Sequence, residues 1–460
     1  MRLSPENLGS LPKQVVRPSY DREGQAVGIV HFGLGAFARA HIAAFCDAAM
    51  REGERDWMIA GVSLRSADVA DQLNPQSGLY TLTQRSGDTA QSRVIGSVKE
   101  VLVADADRGA IIKRIAPPDC KIVSFTVTEK GYCRDGEGGL DFVAAQHSFY
   151  PLLAAALQQR MQVGLPGLTL LSCDNLPENG AQISALMGAW LAREDAALGD
   201  WFRSECSCPS TMVDRIVPAT ADTDRQALAG QLGLRDEGAI FTERFTQWVI
   251  EDNFAATRPA WEKHGAQIVS DVAPFETAKL RMLNGAHSFL AYAGLCAGHE
   301  FVHQAVRDPD IRPAVEHLMI REAAPTIAAA KGQDLSAYHS ALLARFEDAA
   351  LNHRLAQIAM DGSQKIPQRW LEVLAASSQQ CPAILTGIAA WLIHIEQGDV
   401  LDDPLAQALR KAVCGQPVSS AIEALFGKSG LISSAWKPSA QDITFIEQAR
   451  TELGKWREVK

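Results

Sequence analysis

Val27-Gly28-Ile29-Val30-His31-Phe32-Gly33-Leu34-Gly35 decides the fold. A β-branched and aromatic run that ends in Gly-x-Gly reads as a strand meeting a tight turn. Ala40, Ala43, Ala44, Cys46 and Ala48 then recur at helical spacing within 36–51, and 57–64 (WMIAGVSL) is a second apolar strand. Together they make one βαβ unit. Gly33-x-Gly35-x-x-Ala38 lies at its strand–helix junction, where a dinucleotide fingerprint belongs. Gly33 permits the turn, Gly35 lets the backbone approach a pyrophosphate, and the small Ala38 lets helix pack on strand. An NAD-reading site usually has Asp or Glu at the end of the second strand. Here Leu64-Arg65-Ser66 stands there, and the nearest acid is Asp68. Because an Arg beside the ribose accepts a 2′-phosphate, NADP(H) stays open beside NAD(H).

Outward from this unit, strand-like runs at 80–84, 94–103, 121–127, 168–172 and 246–251 alternate with helical stretches such as 142–163 and 179–201. This predicts an α/β dinucleotide-binding domain over 1–270. After Pro274, long Ala-, Leu- and Glu-rich stretches of helical period, separated by turn clusters at Gly362-Ser363 and Gly398-Asp399, predict a helical domain over 271–460. No Gly/Ser- or Pro-rich linker and no internal repeat marks the boundary near Asp271.

Composition narrows the functional classes. With 47% hydrophobic and 21% charged residues, the 460-residue chain is an ordinary folded protein and not a mainly disordered one. Its 44 Lys and Arg against 54 Asp and Glu give −10 with no basic block, which argues against nucleic acid as a partner. Nine dispersed cysteines and an N-terminus without an apolar core point to a reducing, cytoplasmic setting. The longest nearly apolar run, 382–395, is shorter than the roughly 20 residues of a membrane span, contains His394, and reads as a buried helix.

The most informative chemistry lies in Lys279-Leu280-Arg281-Met282-Leu283-Asn284-Gly285-Ala286-His287. At 100° per residue, with Lys279 as zero, Asn284 falls at about 140° and His287 at about 80°, so the three share a face among Leu, Met, Ala and Gly neighbours. A lysine buried there should have a lowered pKa, suited to exchanging a proton with an alcohol or carbonyl, while an amide and an imidazole beside it can hold an alkoxide. The alternative is a surface Lys with a core Asn and His. Asn175, in Asp174-Asn175-Leu176-Pro177-Glu178-Asn179-Gly180 after the 168–172 strand, is a second candidate oxyanion donor; its alternative is a helix cap, from Asn175 or Asn179. His299-Glu300-Phe301-Val302-His303 matches H-E-x-x-H and would, on a helix, set two imidazoles on one face. Asp308-Pro309 soon ends that segment, no further His extension follows, and Cys206-x-Cys208 has no partner pair, so no metal is expected.

GIVHFGLGAFARAH (28–41), FTVTEKGY (125–132), SCDNLPENG (172–180), VDRIVP (213–218), EDNFAATRPAWEKHGA (251–266) and KLRMLNGAHS (279–288) resemble the mannitol dehydrogenase and fructuronate reductase family of polyol-specific long-chain dehydrogenases. The resemblance runs along most of the chain. It implies an N-terminal Rossmann-type domain, a mainly helical C-terminal domain and metal-independent hydride transfer with NAD in the cleft between them. It also implies roles: Lys279 as general acid/base, Asn175 and Asn284 as the oxyanion hole, His287 orienting the substrate. Substrates of the family divide into neutral polyols and keto-uronates. The latter need a cation, for which Lys130 in EKGY and Arg369 in DGSQKIPQR (361–369) are candidates, and EKGY looks more like the fructuronate reductases. The expected activity is therefore interconversion of a keto-sugar acid and its hydroxy acid, with a mannitol, arabinitol or sorbitol 2-dehydrogenase as the alternative and a zinc peptidase a remote one.

Overall fold

The computed structural model describes residues 1–87, 89–398 and 401–458 and divides the chain into two units, Met1–Val272 and Ala273–Lys460. The first contains eleven strands among its described residues: β1 (Val27–Phe32), β2 (Met58–Ser63), β3 (Tyr80–Ser86), β4 (Thr89–Ile95), β5 (Val98–Val103), β6 (Ile122–Phe125), β7 (Thr169–Ser172), β8 (Thr211–Asp214), β9 (Ile240–Glu243), β10 (Gln247–Glu251) and β11 (Gln267–Val269). The central sheet runs β5-β2-β1-β6-β7 with every pair parallel. Counting only its own strands, that is the 3-2-1-4-5 order of a dinucleotide-binding sheet, with the switch point between β1 and β6. Every residue of β1, β2, β6 and β7 is buried, as expected when helices cover both faces of a parallel sheet. Two three-stranded sheets, β4-β3-β9 and β11-β10-β8, flank it.

Several predicted elements are divided. The 94–103 run breaks at Gly96-Ser97 into strands of two different sheets; a Cβ on Gly96 would lie 2.7 Å from the Pro18 side chain. The 36–51 helix is interrupted at His41 (φ −114°, ψ −97°), giving Ala36–Ala40 and Ile42–Arg51. The 179–201 helix is two, because Asp195 leaves the helical conformation and caps the second through the backbone N–H groups of Ala197 and Leu198.

The second unit is helical, with no strand among its described residues. Gly285–Cys296 packs against Pro382–Gln397, which in turn packs against Ala440–Glu458, and together they enclose a separate apolar core. The 382–395 run is indeed a buried helix, and no described helix is long and apolar enough to cross a membrane. Gly362-Ser363 opens a short helix, Gly362–Ile366; Gly398 ends Pro382–Gln397, and Asp399 lies outside the described residues.

Candidate active site

In the first unit the chemistry gathers at the carboxyl ends of β1, β2 and β6. Gly33 turns the chain at φ +87°, and a Cβ there would sit 2.3 Å from the Thr126 carbonyl oxygen, so only glycine fits. Gly35, in contrast, is open: its Cβ would meet nothing nearer than the Gly33 carbonyl oxygen at 3.8 Å. Its bare backbone borders a cleft of about 380 Å³, while Ala38 is wholly buried behind it. A turn that glycine alone can make, an uncovered backbone at its second glycine and a small buried third residue fit a dinucleotide. Arg65 and Lys130 are exposed and both line this cleft. Lys130, a candidate for reading a substrate carboxylate, thus lies in the wall of the cleft that the glycine turn borders. Asp68 accepts a hydrogen bond from the Ser66 hydroxyl at 2.9 Å, as an acid spent on its own turn.

Two buried networks hold this loop, and sequence reading identified neither. The Thr126 hydroxyl donates to the Gly33 carbonyl at 2.7 Å, so its oxygen accepts from His31 Nε2–H at 2.9 Å, and His31 Nδ1 accepts from the Ser124 hydroxyl at 2.8 Å. Burial pushes the His31 imidazole down to about 3. The Asp174 carboxylate accepts from the backbone N–H groups of Val127 (3.0 Å) and Thr128 (2.9 Å) and from the Tyr132 hydroxyl (2.9 Å). It thereby holds Thr128, a β-branched residue, at φ +65°, a strained conformation at the rim of the cleft. Burial raises the Asp174 carboxyl despite these bonds.

The His31 network predicts a pH dependence. The unfolded imidazole takes a proton near 6.5 and the folded one only near 3, so the unfolded chain binds more protons and stability falls as pH drops from 6.5 toward 3. Between pH 7 and 5 this single group should remove about 2 kcal/mol. Chemical denaturation of wild type and His31→Gln at both pH values checks it: the wild type should lose about that much more than the variant, and equal losses would refute a neutral, buried His31.

Asn175 is exposed in the loop that leaves β7. Neither asparagine caps the next helix. Glu178, at φ +48°, occupies the cap position, and the Asn179 side chain instead donates to the Thr211 carbonyl (2.9 Å) and accepts from its N–H (2.8 Å).

In the second unit Lys279 is 7% exposed and opens a π-helical segment, Lys279–Asn284, that continues Ala273–Ala278 and leads into Gly285–Cys296. This changes the face derived with an α-helical wheel. With i→i+5 bonding the winding is about 80° per residue, which brings Asn284 to roughly 40° from Lys279 instead of about 140°. A second π segment, Pro367–Leu371, packs against the first and carries Arg369, whose Nη1 donates to the Ser288 hydroxyl at 2.8 Å and the Asn284 carbonyl at 3.3 Å. Burial lowers the Arg369 guanidinium to about 10. His287, half-buried, lies against Phe346 (4.8 Å between centroids) with His353 edge-on at 5.3 Å. Burial first, then His353, Arg345 and Arg369, hold it well below the ordinary histidine range, so it is neutral at pH 7. Arg345 and His353 lie far along the sequence from His287, and only tertiary packing reveals them.

The H-E-x-x-H match is not a helical site. Phe301 pairs with Arg354 in an isolated β-bridge, and the helix Val302–Ala305 begins after it. His299 Nε2 bonds Asp308 Oδ2 at 2.8 Å, and the described residues hold no group of three or more His, Cys, Asp or Glu able to bind a metal. Cys206 accepts the Leu168 N–H on its sulfur.

Comparison with known proteins gives the following. The family model "Mannitol dehydrogenase Rossmann domain" matches residues 27–263, and "Mannitol dehydrogenase C-terminal domain" matches 271–428. The D-mannonate oxidoreductase of Escherichia coli K12 is 39% identical over 466 residues, covering 95% of this chain and 96% of that protein. A mannitol 2-dehydrogenase of Phaeosphaeria nodorum is 35% identical over 455 residues, 93% of this chain and 80% of the relative. The solved mannitol 2-dehydrogenase of Pseudomonas fluorescens, a ternary complex with NAD and D-mannitol, superposes with a TM-score of 0.81 at 34% identity, covering 100% of this chain and 99% of that one.

Proposed function

The chain belongs to the mannitol dehydrogenase family and is a nicotinamide-dependent oxidoreductase of CH–OH groups, and on that premise we propose that it interconverts a keto-uronate and its hydroxy acid with NAD(H) and without a metal. One observation carries the substrate reading. Arg369 is a half-buried guanidinium whose hydrogen bonds go to neutral oxygens, and no carboxylate pairs with it among the described residues. A substrate carboxylate would supply the missing charge. Similarity to a D-mannonate oxidoreductase supports the same reading.

Bound nicotinamide supplies or accepts the hydride. In reduction, Lys279 Nζ gives a proton to the substrate carbonyl oxygen, the side-chain amides of Asn175 and Asn284 donate to the negative charge developing there, and neutral His287 orients the hydroxyl. Oxidation returns the proton to Lys279. Arg65 and Lys130, two exposed cations in a cleft without an acid at the end of β2, favour NADP(H) as a second reading.

A panel of hexuronates, ketoses and polyols, assayed with both cofactors in both directions, tests the proposal. D-fructuronate or a related keto-uronate should give the highest kcat/KM. Arg369→Ala should cost the uronate roughly a hundredfold or more, the scale of breaking a buried ion pair, and a neutral ketose far less. Equal losses, or preference for mannitol, arabinitol or sorbitol, would overturn the uronate reading; tenfold tighter NADPH binding would overturn NAD(H).

A further inference from the structure

The first unit also holds a larger pocket, of about 730 Å³, that shares no lining residue with the nucleotide cleft. Four segments build its walls: 14–16, the β3–β4 hairpin, and the ends of the helices Ile42–Arg51 and Asp222–Leu232. Its polar side chains are the guanidinium groups of Arg51 and Arg93, the amides of Gln14, Gln84, Gln91 and Gln231 and the Ser92 hydroxyl, with no Asp or Glu among the lining residues described. The two arginines are in different states. Arg51 Nε bonds Asp47 Oδ2 at 2.6 Å and its Nη2 the Val94 carbonyl at 3.1 Å. Arg93 has no ion pair or side-chain hydrogen bond among the described residues, and its Nε–H is buried without an acceptor. Asp47 attracts it from a distance, but the Asp47 oxygens are already taken by Arg51, the Tyr20 hydroxyl (2.7 Å) and the Gly96 N–H (2.8 Å). Buried donors are paired in folded proteins as a rule, and an exception at the wall of a roomy pocket calls for an acceptor from outside the chain.

We propose that this pocket is a second small-molecule site, taking a polyhydroxylated anion of the sugar phosphate or sugar acid class, with its charged head on Arg93 and its hydroxyls on the glutamine amides. A planar guanidinium reads phosphate or carboxylate by paired N–H donors, and amides, which both donate and accept, suit hydroxyls. The apolar floor of Val15 and Leu232 leaves room for the carbon chain.

Calorimetric titration of the full chain under saturating NADH, so that the nucleotide cleft is filled, tests this with glucose 6-phosphate, gluconate, glucose and inorganic phosphate as probes. At least one of the two sugar anions should bind at least tenfold more tightly than glucose and than phosphate alone, and which one binds names the head group. Arg93→Met should weaken it tenfold or more with NADH affinity unchanged. Gln231→Glu, an exposed substitution that sets a carboxylate at the pocket, should do the same by repulsion and keeps the test alive if Arg93→Met fails to fold. Glucose or phosphate binding as tightly as the sugar anions, or anion binding undiminished in both variants, would overturn the proposal.

Discussion

Replacing Lys279 by alanine should lower turnover at pH 7 by ~10²–10⁴-fold, the usual contribution of a general acid–base group, while NADH binds as before. The separation is expected because the lysine and the nucleotide cleft are built by different units: Lys279 opens the π segment of the helical unit, and the cleft is lined by residues of the first. Lys279→Arg should not rescue the rate, since a guanidinium keeps its proton throughout the working pH range. Steady-state rates and nicotinamide fluorescence titrations on the same preparations decide it. A loss below about tenfold, or a matching loss of NADH affinity, would remove Lys279 from the proton-transfer role.

Gly35→Val should abolish measurable cofactor binding, raising the NADH Kd at least about a hundredfold by keeping the pyrophosphate from the backbone amides, without unfolding the protein. The neighbouring glycine shows why this position is informative. A Cβ on Gly33 would collide with the Thr126 carbonyl at 2.3 Å and destabilise the turn itself, whereas at Gly35 the nearest atom is 3.8 Å away and φ is −77°, which valine tolerates. Unchanged melting with lost binding is the expected pair of results. Retained NADH affinity in Gly35→Val would mean that the nucleotide does not lie along this loop.

The architecture was legible because a parallel sheet buried on both faces writes itself as apolar runs, and because Gly33-x-Gly35 punctuates the first of them. Where the reading erred, the apolar pattern continues across a change of direction. The His41 ring lies against Phe37, Phe45 and Trp248, so the helical spacing of apolar residues runs on through the break in backbone. The H-E-x-x-H match failed because a spacing pattern carries no information about φ and ψ, and Phe301 is extended (φ −123°, ψ 153°). That Lys130 and Arg65 share a cleft was not legible because strand-end loops converge in space: the short helix Thr128–Gly131 follows β6, and the end of β2 carries Arg65 to the same cleft. Asp174 was in view as part of the asparagine loop, but its bonds to Val127 and Thr128 cross from one strand end to the next, which no local pattern encodes.

The π segment Lys279–Asn284 has a consequence for how this protein can vary. A π turn amounts to one surplus residue within a helix, so the helical phase before it and the phase after it are offset by about 100°. The angle between Lys279 and Asn284 is therefore set by the winding of the segment and not by which side chains fill it. Exchanging side chains at 280–283 leaves that angle alone, and losing one residue there would leave the two groups four apart on an ordinary α-helix, again about 40° from one another. In this stretch of chain, the π turn absorbs one surplus residue without turning Lys279 away from Asn284.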